Sequence, residues 1–65
     1  MPLSRSEFEE MRVEVARELS MRRNLYPRWV ANGKMKQEHA DERIRLMQKV
    51  YDWVVEQLPT TEKLI

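Results

Sequence analysis

Apolar residues recur along this chain at helical spacing, in two stretches separated by a proline and a glycine. In the first stretch Phe8, Met11, Val15 and Leu19 step by three and four residues, and the same face resumes at Tyr26 and Trp29 after Arg22. That period places them on one inward stripe of an α-helix. The helix has two candidate starts, because Ser4 is followed three residues later by Glu7 and Ser6 by Glu9. Either pair can form a capping box, the hydroxyl accepting from a backbone N–H and the carboxylate reaching back. Pro27 lacks a backbone N–H and disfavours helical backbone at Tyr26, so the chain is expected to stop or kink near residues 24 to 26, with the first helix over 4–25. Pro27 then opens a short helical turn, 27–31, ending at Asn32-Gly33 with Gly33 in the left-handed conformation.

The second stretch predicts a helix over 36–58, stopped by Pro59 and about 33 Å long at 1.5 Å per residue. Ala40, Ile44, Met47, Tyr51, Val54 and Leu58 form its main stripe. Leu46, Val50 and Trp53 make a second row about 100° round the helix. One neighbouring helix covers only one of the two rows. The expected fold is therefore all-α: an antiparallel helical hairpin, two long helices with a short helical turn before Gly33, that dimerises into a four-helix bundle through Leu46, Val50 and Trp53. One domain accounts for 1–65, with an arm at 1–3 and a tail at 59–65 whose Leu64 and Ile65 are available to an open apolar edge.

Size sharpens the case for association. A 65-residue chain buries only about 60% of the surface its unfolded form exposes. There is no Cys, so neither a disulfide nor a thiolate metal site supports it. The longest apolar runs, such as Trp53-Val54-Val55, fall far short of a membrane span. The first ten residues are polar and acidic, unlike a secretory signal, which leads to an expected cytoplasmic location.

Charge adds one local feature. Twelve basic residues against eleven acidic ones leave a net +1, too little to draw the whole chain to nucleic acid or an anionic membrane. The balance is uneven, however: residues 1–20, 21–36 and 37–65 carry net −2, +5 and −2. The middle segment holds Arg22, Arg23, Arg28, Lys34 and Lys36 with Tyr26 and Trp29 interleaved, a pattern that suits phosphate contact and base stacking. The competing reading has Arg22 and Arg23 facing solvent or a partner's acids, and the two aromatics packing the closed end of the hairpin. A DNA-binding domain usually combines net positive charge with a reading helix, which favours the second reading.

Little catalytic chemistry is encoded. His39 and Glu42 have i, i+3 spacing, but two ligands do not make a metal site, and a polar first turn favoured by the helix dipole explains them. Ser4, Ser6 and Ser20 have no base nearby in sequence, and there is no glycine-rich phosphate loop. A non-enzymatic chain without a cofactor is expected. Five methionines could line an adaptable groove, although Met11 and Met47 sit on the core stripes.

The segment Leu25–Met47, and above all Tyr26-Pro27-Arg28-Trp29-Val30 followed by Gly33 and Met35, resembles a recurring pattern in small uncharacterised proteins encoded by bacteriophages and prophages of proteobacteria. Those relatives often carry Thr or Ser where this chain has Lys36, a hydroxyl that would cap the second helix. A second similarity, to short helical-hairpin oligomerisation modules, rests on fold-level analogy. The resemblance implies an accessory protein that works by binding a host or phage protein in the host cytoplasm.

Overall fold

The computed structural model describes residues 3–58. They form two antiparallel helices, α1 (Arg5–Ala31) and α2 (Gln37–Glu56), and no strand occurs among the described residues. Met1, Pro2 and the expected tail 59–65 lie outside them.

Of the two candidate starts for α1, Ser4 is the one used. The Glu7 backbone N–H donates to Ser4 Oγ at 3.2 Å, and the Ser4 N–H donates to Glu7 Oε1 at 3.4 Å. The capping box is thus complete, satisfying donors that the first helical turn leaves open.

The expected end of α1 at residue 25, with a separate turn over 27–31, is corrected: α1 runs unbroken through Pro27 to Ala31. Proline removes the hydrogen bond to the Arg23 carbonyl and crowds it, a cost of about 3 kcal/mol in a helix interior. Only four helical residues follow Pro27, and Pro27 itself is exposed. Continuity keeps Tyr26, 8% exposed, on the inward stripe. It also brings the Tyr26 and Trp29 rings together at 5.4 Å and 31°.

The reversal is carried by backbone hydrogen bonds. Gly33 N–H donates to the Val30 carbonyl at 3.1 Å and Lys34 N–H to the Trp29 carbonyl at 2.8 Å. This nested pair closes a helix through a left-handed residue, and Gly33 supplies it with φ +75°. Lys36 then occupies the N-cap position of α2 in extended conformation, with no side-chain cap.

α2 ends at Glu56, two residues before the expected limit. Its last carbonyls are met by tighter bonds, from Gln57 N–H to Val54 and from Leu58 N–H to Val55, each at 3.1 Å. Leu58, 7% exposed, packs inward from beyond the helix end.

The core is a single seam. Among the described residues the buried apolar side chains are Leu19 and Tyr26 from α1, Ala40 and Val54 from α2, and Leu58 just beyond it. Phe8, Met11, Val15, Ile44, Met47 and Tyr51 are only partly covered. The molecule is 15 Å thick in its thinnest direction, little more than one helix with its side chains at about 10–12 Å. Two helices side by side make one layer, whose two broad faces stay open.

Candidate interaction surfaces

The second row of α2 lies on one of those open faces. Leu46, Val50 and Trp53 are 47%, 45% and 52% exposed. Trp53 is tethered at its edge by Phe8, with ring centroids 6.1 Å apart and planes 59° from parallel. A tilted aromatic pair of this kind adds roughly 0.5–1.5 kcal/mol beyond its area, and it fixes the indole without covering it.

Beside this row the face dips into a groove of about 390 Å³ between the start of α1 and the end of α2. Its apolar lining comes from Met11, Val15, Val50, Trp53 and Val54, and its α1 side carries Glu7, Glu10 and Glu14. The acidic side is absent from the sequence-based expectations. Its signal was the 7, 10, 14 spacing, which puts three carboxylates on one flank of α1. That spacing gains meaning only once the hairpin sets the flank beside the apolar row. Met21, 42% exposed, stands seven residues on from Glu14 and so extends the same flank of α1.

The basic segment divides in two. Arg22, with only 19% of its side chain exposed, pairs with Glu18 at 3.0 Å. Its Nη1 also donates to the Arg43 carbonyl on α2 at 3.0 Å. Arg23 donates to Gln48 Oε1, and Gln48 in turn donates to Asp52 at 2.9 Å. Both arginines therefore bridge the two helices, whereas the sequence suggested solvent, a phosphate or a partner's acids. Arg28, Lys34 and Lys36 are exposed at the loop end. Tyr26 is buried, which leaves Trp29, 37% exposed, as the aromatic surface there.

His39 borders a smaller depression of about 210 Å³ with Glu42, Arg43 and Leu46. Glu42 accepts a hydrogen bond from Arg45 Nε at 3.0 Å, and this bond holds its carboxyl below the usual carboxylate range. Among the described residues no three His, Cys, Asp or Glu side chains converge on a metal-sized site. No buried side-chain polar atom there lacks a hydrogen-bond partner, and no helix is long and apolar enough to cross a membrane. Ser4 is committed to the helix cap, while Ser6 and Ser20 are exposed.

What the surface offers is an apolar strip with an acidic border at one end and a cluster of cations at the other. Comparison of the chain with family models, with curated proteins and with solved structures finds no match.

Proposed function

We propose that this chain is a non-enzymatic protein-interaction module in which Leu46, Val50 and Trp53 join two hairpins into a four-helix dimer. The observation that carries the reading is the row itself, three large apolar side chains about half exposed on a single-layered hairpin. An apolar strip of this kind beside a groove marks an association surface more often than a free one. Covering it stabilises at about 25 cal/mol per Å² of apolar area removed from water. The resemblance to phage and prophage proteins supports a wider setting, an accessory protein that binds a host or phage protein in the cytoplasm of the host.

Light scattering coupled to size exclusion tests the dimer directly. The expected mass is twice that of the chain, falling toward one chain for Trp53→Ala. An unchanged dimer in that variant would remove Trp53 from the interface, and a wild-type monomer at all concentrations would remove the dimer.

A second reading, a small nucleic-acid-binding accessory protein, draws on Arg22, Arg23, Arg28, Lys34 and Lys36. It is favoured by the exposure of Arg28, Lys34 and Lys36 around Trp29. It is weakened by the commitment of Arg22 and Arg23 to α2. Binding to single- or double-stranded DNA that falls steeply with salt and drops in Arg28→Ala/Lys34→Ala supports it. No retardation at low salt removes it.

A further inference from the structure

We propose that the two hairpins pack face to face with their α2 helices antiparallel, so that Arg43 of each chain enters the acid-bordered groove of the other. This inference rests on the dimer reading and adds its geometry.

The open face is electrically lopsided along its length. Phe8 lies against Trp53, so the groove and its Glu7, Glu10 and Glu14 border sit at the end where α1 begins and α2 finishes. Arg43 belongs to the opposite half, where Arg22 grips its carbonyl at 3.0 Å. It stands three residues before Leu46 and therefore heads the line Arg43, Leu46, Val50, Trp53. From Arg43 to Trp53 is about 15 Å along the helix.

Among the described residues the Arg43 guanidinium has no ion pair or hydrogen bond, and neither has the Glu10 carboxylate. Glu14 has a single 3.4 Å contact with Arg17, both side chains being about 70% exposed. Such a pair is worth little and is easily exchanged.

Two copies of one face can meet about a two-fold axis in two ways. An axis running along the helices sets like ends together, carboxylates upon carboxylates. An axis running across them sets each end on its opposite, so that Arg43 comes level with the groove of the partner. Like charges juxtaposed at an interface disfavour the first arrangement, and complementary ones favour the second. In the second, the axis falls midway between Leu46 and Val50, so that each faces the other across the interface, the apolar row closes upon itself, and Arg43 comes level with Trp53 of the other chain, beside Glu7 and Glu10. The carboxylates of the groove are then met by a cation supplied by an identical chain.

The chain has no Cys, so single cysteines report the geometry cleanly. Val50→Cys is expected to form a disulfide-linked dimer on mild oxidation. His39→Cys, about 16 Å from Val50 along α2, is expected not to, because the two copies of residue 39 lie at opposite ends. Charge exchange gives an independent reading. Glu10→Lys and Arg43→Glu should each raise the dimer Kd roughly tenfold, and the two together in one chain should bring it back within about threefold. Circular dichroism on these exposed positions checks that helix content is unchanged.

Efficient cross-linking at both cysteine positions, or a double variant no tighter than the singles, overturns the antiparallel seating. If Trp53→Ala still dissociates that protein, the dimer reading survives. A wild-type chain that stays monomeric overturns both.

Discussion

At the scale of single residues, Gly33 has the most sharply defined role. Its φ of +75° lies in the left-handed region, and a Cβ built there meets nothing within 4 Å. A substitution is therefore opposed by backbone conformation and not by a clash. Gly33→Ala is expected to destabilise by about 1 kcal/mol. Gly33→Asn should cost less, because asparagine tolerates this conformation, and Gly33→Val more. Urea unfolding of the three variants checks the order. Losses that instead follow side-chain size, with Asn costing more than Ala, would mean that space, not φ, constrains the site. Arg22 makes a different kind of residue-scale point. A long cation on an inward stripe looks like an interruption of that stripe, yet its guanidinium closes the hairpin onto the Arg43 carbonyl while its stem covers apolar surface.

At the scale of elements, both helices carry a local defect that the hairpin tolerates. Pro27 sits inside α1, forfeiting one helical hydrogen bond near the end of a 27-residue helix. Pro27→Ala should restore that bond and stabilise the protein by about 1–3 kcal/mol. A lower melting temperature in that variant would show that proline is shaping the closed end and not merely being accommodated. α2 begins without a side-chain cap at Lys36. Lys36→Ser should supply one and stabilise by about 1 kcal/mol, read in the same thermal melt.

These two sites also show how far sequence reasoning reaches. The stripes, the Ser4–Glu7 box and the Gly33 reversal were legible because each depends on residues within one or two turns of one another. The break at Pro27 was misplaced because the local rule accounts for the lost bond alone. It leaves out what continuity preserves, the burial of Tyr26 and its contact with Trp29. The acidic border of the groove and the bridges from Arg22 and Arg23 depend on how α1 lies against α2. No periodicity within either helix contains that information.

At the scale of the whole molecule, the central fact is that five buried apolar residues, among those described, form the seam of a layer 15 Å thick. Of these, Val54 is 1% exposed and Ala40 2%; most of the stripe is half covered. Chains near this size fold only marginally from their own core, and surface ion pairs such as Arg5–Glu9 at 3.4 Å contribute at most a few tenths of a kcal/mol each. In the proposed assembly the missing half of the core is a second copy, and folding and association become linked. The linkage has a quantitative signature. For a dimer that dissociates as it unfolds, each tenfold rise in protein concentration adds about 1.4 kcal/mol per mole of dimer to its stability, so the melting temperature climbs with concentration. Trp53→Ala should both lower the melting temperature and flatten its dependence on concentration, since the variant unfolds from a population already shifted to monomers. A melting temperature independent of concentration over two decades, in a protein that melts cooperatively, would place the stability within the single hairpin. The apolar row would then belong to a surface that the chain does not use on itself.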